Sequence, residues 1–553
     1  MKKLSTIVTA ILLCYILFTG YNSFNKTGEP KSNGVRVYKD SDRGVLLVNP
    51  SFMLYPGGGM QKEEIRITSH PHVPDILFAA GRTYFVTAQG ENTGVYVSTN
   101  GGANWYGWDT INVWINIWHS GNVFPIINNN GTFVLGFTRY LQYLINSTNY
   151  GETFSWLITP GRTRASLSVD DSPKSPYYGR VYSAWKNYQT GSGPERNIVE
   201  ISYTTDDGHT WGPIYSFDTT ALPYRYEKAK LGIGPYGELY TCWAKVDYSQ
   251  SNVVETSIEY SNSTNGGATW HRGNMSISGT GRSSTFGPHH VYVDSYPRIA
   301  VDKSGGSRDG WVYIVCTQRY GDAQDSADVM LKRSSDKGNT WSNWIRVNQD
   351  SPGTGRVQLA PEIAIDKYGG IDIVYFDNRE TALDSAKIFM SRSVDGGDTW
   401  LDIPVSDHAF KPGDIGDYLS SIGITALGNK LFTTWFSTKS GSHKFWAASI
   451  VIDSTSSVST ISSEIPSEYK LSQNYPNPFN PSTKITFSLP TNDHVSLKVF
   501  DITGKEVAVL VNESLNPGLY EVRFDAENLP SGMYFYRLTS DNFSETKKMV
   551  VIK

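Results

Sequence analysis

The chain contains few cysteines, little excess charge and almost no long apolar stretch. Only three of its 553 residues are Cys, too few for a disulfide-stabilised scaffold or a thiolate metal cluster. The formal net charge of −4 gives no basic surplus of the kind that binds nucleic acid, so we expect no nucleic-acid partner. Neither a Gly-rich phosphate loop nor a Ser-His-Asp order stands out. What remains is a chain with 51 Gly, 34 Tyr and 15 Trp and no helical periodicity, which is typical of an all-β protein.

The one long apolar run lies at the N-terminus. Residues 7–18 follow Lys2 and Lys3 and precede Thr19-Gly20, which is the layout of a secretory signal peptide. The run is short for a bilayer span, so a membrane anchor is the weaker alternative. We expect residues 1–20 to be removed, leaving no transmembrane span and a charge of about −6, from 47 positive and 53 negative groups.

The cysteines fit a secreted chain without disulfides. Cys14 lies within the signal segment, and Cys242 and Cys316 lie in apolar strands of adjacent repeats. We predict that these two are buried free thiols rather than a disulfide or a metal site.

A turn sequence that is fullest at residues 393–400, Ser-Val-Asp-Gly-Gly-Asp-Thr-Trp, occurs six times. Its hydroxyl and its short Asp or Asn side chain can accept hydrogen bonds from the turn backbone, its Gly can take a positive φ, and its aromatic residue can anchor the next strand. The positions predicted to be structural are Ser98, Asn100, Gly102 and Trp105; Ser147, Asn149, Gly151 and Phe154; Thr204, Asp206, Gly208 and Trp211; Ser263, Asn265, Gly267 and Trp270; Ser334, Asp336, Gly338 and Trp341; and Ser393, Asp395, Gly397 and Trp400.

The spacing of these turns predicts a β-propeller. Successive glycines of the turns are 49 to 71 residues apart, which suits a four-stranded blade with variable loops. First strands begin near seven positions: Glu64, Val123, Ala165, Lys230, Pro297, Pro361 and Leu419. The last unit lacks this turn sequence, which we call the box, and has only three strand-like runs. We therefore predict that residues 44–49 supply its missing strand and close the ring. A six-bladed ring is the alternative.

The remaining segments give the domain layout. Residues 21–42 are a polar lead expected to be poorly ordered, and residues 43–452 form the propeller. Residues 453–470 are a Ser/Thr-rich linker that cannot bury enough apolar surface to order itself. Residues 471–553 alternate apolar and polar positions and predict a small Ig-like β-sandwich.

The C-terminal region resembles the sorting domain of proteins exported by the type IX secretion pathway of Bacteroidetes-like bacteria. The segments that carry the resemblance are Tyr475-Pro-Asn-Pro-Phe-Asn-Pro, Ile485-Thr-Phe-Ser-Leu-Pro, Val499-Phe-Asp-Ile-Thr-Gly, Gly518-Leu-Tyr, Ser531-Gly-Met-Tyr and the basic end at Lys553. The resemblance implies the type IX machinery as a partner and passage across the outer membrane to the cell surface or the medium. The alternative is an accessory sugar-binding sandwich.

Residues from about 60 to 452 resemble the Asp-box, or BNR-repeat, propellers whose best-known members are sialidases. The resemblance implies that the boxes lie between third and fourth strands, away from the face used for chemistry. Sialidases use three arginines for the sugar carboxylate, a Tyr nucleophile assisted by a Glu, and an Asp acid/base. Residues 296–300, Tyr-Pro-Arg-Ile-Ala, loosely match the family's Phe/Tyr-Arg-Ile-Pro motif, with the Pro displaced and the motif in a late repeat.

Candidate site residues follow from propeller geometry, which gathers the starts of first strands and the ends of second strands on one face. On that basis the predicted catalytic residues are Glu362, Asp417 and Tyr418, and the predicted ligand-binding residues are Arg298, Arg319, Arg379, Glu64 and Lys230. Arginine forks suit a carboxylate because both of its oxygens can be met. For each residue the alternative is a solvated rim or a salt bridge between blades. We expect no metal and no cofactor.

Two functions remain open from the sequence. The first is a secreted or cell-surface sialidase-like propeller that binds, and possibly hydrolyses, a glycan. The second is a non-catalytic propeller that binds a glycan or a surface protein.

Overall fold

The computed structural model describes the chain in segments. They are residues 34–40, 44–54, 60–84, 91–111, 123–138, 142–159, 161, 163–189, 196–249, 253–279, 283–286, 289–292, 296–319, 327–412, 422–440, 443–453, 458–462, 466–526, 529–540 and 543–553. The predicted signal peptide at residues 1–20 lies outside them. Forty β-strands run through these segments, which confirms the all-β prediction.

Six of the sheets in residues 61–404 are built from four consecutive strands each. Sheet 1 has β4 (Gln61–Ser69), β5 (Leu77–Tyr84), β6 (Glu91–Ser98) and β7 (Tyr106–Trp108). Sheet 2 has β8 (Phe124–Ile127), β9 (Phe133–Thr138), β10 (Gln142–Ser147) and β11 (Ser155–Leu157). Sheet 3 has β12 (Thr163–Val169), β13 (Val181–Gln189), β14 (Arg196–Thr204) and β15 (Tyr215–Ala221).

The next three sheets repeat the plan. Sheet 4 has β16 (Tyr224–Ile233), β17 (Leu239–Asp247), β18 (Val254–Ser263) and β19 (His271–Ser276). A separate hairpin, β20 (Ser283–Phe286) with β21 (His289–Tyr292), precedes sheet 5. Sheet 5 has β22 (Arg298–Val301), β23 (Val312–Gln318), β24 (Asp328–Ser334) and β25 (Ile345–Arg346). Sheet 6 has β26 (Gln358–Ile365), β27 (Ile371–Asp377), β28 (Lys387–Ser393) and β29 (Leu401–Pro404).

Sheet 7 joins the two ends of the repeat region. It takes β30 (Gly423–Leu427), β31 (Lys430–Ser437) and β32 (Lys444–Asp453) from the end, with β1 (Arg36–Asp40), β2 (Gly44–Val48) and β3 (Phe52–Met53) from the start. β2 pairs with β32 from Val45↔Asp453 to Val48↔Ile450, as predicted for residues 44–49. Leu46 and Val48 are buried in the core that this pairing creates.

β1 differs from the prediction of a poorly ordered lead at residues 21–42. It forms a hairpin with β2 from Arg36↔Val48 to Asp40↔Gly44. The Arg36 guanidinium donates to the carbonyl oxygens of Val405 and Ser406, which fastens this outer strand to sheet 6. An edge strand is held by backbone pairing and does not need an apolar face. The polar composition of β1 therefore did not indicate a strand.

The seven sheets form a closed ring. The first strand of each sheet contacts the first strand of the next, and β30 of sheet 7 contacts β4 of sheet 1. The first strands therefore enclose a central channel, as in a β-propeller. Apolar side chains pack between neighbouring sheets, for example Phe78 of sheet 1 stacked on Phe133 of sheet 2 at 4.6 Å between ring centroids.

The six box turns share one hydrogen-bond pattern and each joins the third strand of a sheet to the fourth. The Ser or Thr hydroxyl donates to the Asx Oδ1 at 2.7–3.1 Å and accepts from the Gly N–H at 2.8–3.0 Å. The same Oδ1 accepts from the N–H four residues further on at 2.8–3.0 Å. The glycines have φ of +82° to +100°, which an L side chain adopts only with strain.

The C-terminal region forms two further four-stranded sheets. One has the order β33 (Val458–Ser462), β38 (Gly518–Asp525), β35 (Ser482–Leu489) and β34 (Lys470–Leu471). The other has the order β37 (Glu506–Leu515), β36 (Asp493–Phe500), β39 (Gly532–Ser540) and β40 (Phe543–Val551). Both sheets contribute to one apolar core that includes Phe487, Val522, Leu497 and Tyr536.

β33 differs from the predicted linker at residues 453–470. It pairs with β38 from Val458↔Val522 to Ser462↔Leu519. Asp453, at the expected start of the linker, is still part of β32. A Ser/Thr-rich strand can hold this place because the ladder uses backbone groups. Among the described residues no helix has both the length and the apolar character to cross a membrane.

Candidate functional site

Four charged residues occupy the same place in their repeats. Arg66, Lys230, Arg298 and Glu362 each lie three residues before the last residue of the first strand, in sheets 1, 4, 5 and 6. Arg66 contacts Glu362, and sheets 1 and 6 are not neighbours in the ring. These side chains therefore meet inside the channel, and we call the four residues the channel cluster.

Bulges in the first strands set the direction of three of these side chains. The pairing registers shift between Glu63 and Ile65, between Glu227 and Lys230, and between Leu359 and Glu362. Within the bulges Glu64, Lys228 and Ala360 have φ of 50°, 50° and 53°. An extra residue in one strand re-aims the side chains that follow it. The bulge thus places Arg66, Lys230 and Glu362 two residues after the strained position.

Glu362 is the centre of the ion pairs. Its Oε2 accepts from Arg298 Nε at 3.0 Å and also from Arg66 Nη1. Arg298 Nη1 donates to the carbonyl oxygens of Tyr296 and Pro297, each at 3.2 Å. Arg298 is buried, with 3% of its side chain exposed, whereas Arg66 and Glu362 retain 17% and 18%. The cluster is therefore largely desolvated but still open to the channel.

The Lys230 ammonium group is arranged differently. Its Nζ lies 5.1 Å from the ring centroid of Phe124, across the channel in sheet 2. Among the described residues no hydrogen-bond acceptor contacts this Nζ, and the side chain is partly exposed. Two further charges act on the cluster, that of Glu64 on Arg66 and that of Lys228 on Lys230. Four basic side chains therefore face two carboxylates, and basic groups are in excess.

The titration behaviour reflects this excess. Burial lowers the pKa of Lys230 well below its usual value, and the charges of Arg66 and Arg298 lower it further. Burial alone would raise the pKa of Glu362, but Arg66 and Arg298 outweigh it, so its pKa is lowered. Glu362 is accordingly a carboxylate at neutral pH and does not hold a proton for acid catalysis.

A second group lies where the first strand of sheet 4 meets the ends of two second strands. Lys186 Nζ contacts Glu227 Oε1 at 2.7 Å, and both side chains are buried. Tyr248 Oη donates to the same Oε1 at 3.2 Å, and the Arg225 guanidinium lies 4.9 Å from the Tyr248 ring centroid. A Tyr hydroxyl and a Glu carboxylate are thus in contact, on residues that the sequence did not single out.

The other predicted site residues have varied surroundings. Arg379 contacts Asp402 Oδ2 at 2.5 Å and Asp377 Oδ2 at 2.6 Å, within a network of charges that joins sheets 5 and 6. Arg319 is exposed at the end of β23, and Glu64 is buried in the bulge of β4. Asp417 and Tyr418 lie outside the described residues.

Sequence reasoning missed Arg66, Glu227, Lys186 and Tyr248. Arg66 could have been found from the sequence. Arg298 and Glu362 align with each other between repeats, and Arg66 occupies the same position in the first strand of sheet 1. Glu227 gave no comparable signal, since the bulge that follows it interrupts the alternation of the strand.

The predicted cysteine state agrees with the structure. Cys242 and Cys316 are free and buried, in one apolar cluster with Ile258 and Ile314. Burial raises the pKa of Cys242 to about 12, so this thiol is neutral and contributes no charge to the channel.

Comparison with known families identifies the C-terminal region. Residues 473–553 match the family described as the secretion system C-terminal sorting domain. The match confirms the predicted sorting domain and covers the two C-terminal sheets except for β33 and β34. Among curated proteins, none matches the chain.

Comparison with solved structures finds glycosidases that share little sequence with this chain. A Penicillium chrysogenum alpha-L-arabinanase complexed with arabinobiose is 12% identical, with 67% of this chain and 99% of that chain covered and a TM-score of 0.36. The GH93 alpha-L-arabinofuranosidase of Fusarium graminearum is 13% identical, with 60% of this chain and 92% of that chain covered and a TM-score of 0.38. Trypanosoma rangeli sialidase in complex with sialic acid is 12% identical, with 95% of this chain and 88% of that chain covered and a TM-score of 0.36. Similarity at this level supports no statement about activity or substrate.

Proposed function

We propose that this protein is a secreted or cell-surface, sialidase-like propeller that binds an acidic glycan at the channel cluster. The single observation that carries the proposal is the excess of basic side chains around Glu362, with the Lys230 amine lacking an acceptor among the described residues. We take the ring to be seven-bladed, with one blade for each of its sheets, and the C-terminal pair of sheets to be an Ig-like sandwich.

Charge decides between acidic and neutral sugars. Buried like charges raise the free energy of the folded state unless counter-charges join them. Even where Lys230 is neutral, the cations of Arg66, Arg298 and Lys228 outnumber the carboxylates of Glu362 and Glu64. A carboxylate on a sugar would supply that counter-charge. By favouring the protonated form of Lys230 it would also gain a charge-assisted hydrogen bond from this residue. A neutral sugar offers hydroxyl groups but leaves the charge unbalanced.

The candidate ligand residues can now be ranked by their contacts. Lys230 and Arg298 belong to the channel cluster, Glu64 lies two residues before Arg66 in the same strand, and Arg319 is exposed at a strand end. We leave Arg379 out of the proposed site, because Asp377 and Asp402 already bind its guanidinium.

Hydrolysis is a second candidate function, favoured by the contact between Tyr248 and Glu227. A Tyr that donates to a Glu at 3.2 Å is placed to lose its proton as it attacks an anomeric carbon. In this version Tyr248 would act as the nucleophile and Glu227 as its base. The predicted Asp417 and Tyr418 remain alternatives, while Glu362 is assigned to binding because two arginines hold it.

The sorting domain supports a destination outside the cell. A match to a secretion sorting domain implies handling by the type IX machinery. We therefore place the propeller at the outer cell surface or in the medium, where glycans are available as ligands.

The test compares two sugars that differ in one carboxylate-bearing residue. Binding of 3′-sialyllactose and of lactose to the full-length protein is measured by calorimetry at low and high salt. We expect binding of the acidic sugar alone, weakened by salt because the contact is between charges. Equal binding of both sugars, or of neither, would reject the proposal. Release of free sialic acid on incubation would favour hydrolysis.

A further inference from the structure

The Lys230 amine combines three properties that seldom occur together. It is partly exposed to the channel, it lies against the face of Phe124, and no acceptor among the described residues contacts its Nζ. An ordinary surface lysine is exposed but solvated, and an ordinary buried lysine is paired, as Lys186 is with Glu227. Lys230 is therefore an amine that a small molecule in the channel can reach without displacing a protein partner.

Most of the charges around Lys230 disfavour its protonation. Arg66, Arg298 and Lys228 are cations that disfavour a fourth positive charge, and Glu362, the opposing carboxylate, is shared with both arginines. Cys242 faces Lys230 in the neighbouring strand, but its thiol is neutral. Cationic neighbours combined with partial desolvation are a recognised way to obtain a neutral, nucleophilic lysine.

The same cations would hold an anionic reactant. A carboxylate entering the channel would be attracted to the surplus positive charge of Arg66 and Arg298, and its carbon chain would then lie beside the Lys230 amine. A carbonyl group next to that carboxylate would be presented to the nucleophile. Holding two reactants side by side raises the rate of their reaction.

We propose that Lys230 is a carbonyl-reactive lysine that condenses with small 2-oxo acids in the channel. The neutral Nζ adds its electron pair to the carbonyl carbon, and the C=O π bond opens onto the oxygen. The nitrogen then releases one proton and the oxygen takes one up, which gives a neutral carbinolamine. Loss of water from the carbinolamine leaves a C=N bond between Lys230 and the 2-oxo acid, so the step needs no oxidant or reductant. The inference rests on the same cluster as the proposed glycan site but does not require that a glycan binds.

The test traps the C=N bond by reduction. The full-length protein is incubated with glyoxylate and cyanoborohydride at neutral pH, and the modified lysines are identified by peptide mass spectrometry. We expect Lys230 to be modified at least tenfold faster than Lys228, its neighbour in the same strand. Glycolaldehyde, which has an aldehyde but no carboxylate, should modify Lys230 more slowly than glyoxylate does.

Each outcome decides one part of the inference. Modification spread evenly over the lysines, or absent from Lys230, would overturn it. Equal rates with glyoxylate and glycolaldehyde would overturn the role of the carboxylate. A Lys230→Gln variant with an unchanged thermal unfolding curve should lose the fast modification. If the acidic sugar binds but Lys230 is not modified, only this inference fails; if Lys230 is modified but no sugar binds, only the proposed function fails.

Discussion

Arg298 Nε donates to Glu362 Oε2 at 3.0 Å, although the two residues occupy the same register position of adjacent repeats. A repeat that carries opposite charges at one position can form an ion pair with its neighbour in the ring. Arg66 uses the same position to reach Glu362 from sheet 1. One position in the repeat thus supplies the charged side chains of the channel cluster without any special loop.

The buried pair between Arg298 and Glu362 should matter for stability. Arg298→Ala would leave two backbone carbonyls and part of the Glu362 charge without a partner, and breaking a buried pair from one side costs about 3–5 kcal/mol. Urea unfolding measures the loss. The control is Arg319→Ala, at an exposed position, which should change the free energy of unfolding by less than about 0.5 kcal/mol. Equal unfolding curves for the two variants would show that Arg298 does not hold the fold together.

Lys230 should make the free energy of unfolding rise with pH in the alkaline range. Its pKa in the folded protein lies well below the ordinary value of 10.5, so over the interval between the two values the unfolded chain binds a proton that the folded chain does not. The free energy of unfolding then rises with pH across that interval. Lys230→Gln should remove the rise, which denaturant titrations at several pH values between 7 and 10 would detect. A variant that keeps the wild-type slope would show that another group is responsible.

The ionised carboxylates of the boxes should stabilise the fold, and this stabilisation should be lost in acid. Thr210 donates from its hydroxyl and its N–H to Asp206, which holds the pKa of Asp206 at about 2. A lowered pKa adds stability above the ordinary value of 3.8, and that stability is lost as the pH falls towards 2. Asp206→Asn should unfold like the wild type at pH 7, because Asn149 and Asn265 contact the equivalent Thr residues in their boxes. Each of them accepts from the Thr N–H and donates its amide to the Thr hydroxyl.

The comparison that isolates the carboxylate is made at two pH values. Below pH 4 Asp206→Asn should lose less stability than the wild type does, since an amide does not titrate. Asp206→Ala, which removes the acceptor, should be less stable at both pH values, by about 1 kcal/mol for the lost hydrogen bonds. A wild type and an Asp206→Asn variant that lose stability in parallel would contradict the assignment.

The N-terminal strands should be needed to close the ring. Leu46 is fully buried where β2 meets β32, so Leu46→Ala should cost about 2–5 kcal/mol. Val37 lies in the outer strand β1 and is 53% exposed, so Val37→Ala is a matched control with little expected effect. Thermal unfolding of both variants checks this. If the two variants melt together, β2 is not part of the core in solution.

Much of the architecture could be predicted because short local sequence patterns reveal the repeats. The box at residues 393–400 contains its own hydrogen-bond partners, so its turn follows from a few neighbouring residues. The need to avoid an open sheet edge predicted that residues 44–49 would pair with the end of the repeat region. The sorting domain was recognisable from short motifs that recur in its family.

The unpredicted features depend on contacts that are distant in the sequence or on backbone alone. Arg66 and Glu362 are 296 residues apart, and nothing local in the sequence shows that they meet. The bulges at Glu64, Lys228 and Ala360 insert one residue into the strand alternation, which hides Glu227. β33 is polar and is held by backbone pairing, so its composition suggested a linker.

Binding of an acidic glycan by the surplus positive charge of the channel cluster can be measured directly. The most direct measurement is the affinity of the full-length protein for 3′-sialyllactose, compared between the wild type and Lys230→Gln, with lactose as the neutral reference. We expect 3′-sialyllactose to bind Lys230→Gln about tenfold or more weakly than the wild type, because a charge-assisted hydrogen bond worth about 1.5–3 kcal/mol is lost, and we expect lactose to bind neither protein. Undiminished binding of 3′-sialyllactose to a folded Lys230→Gln variant would contradict this expectation.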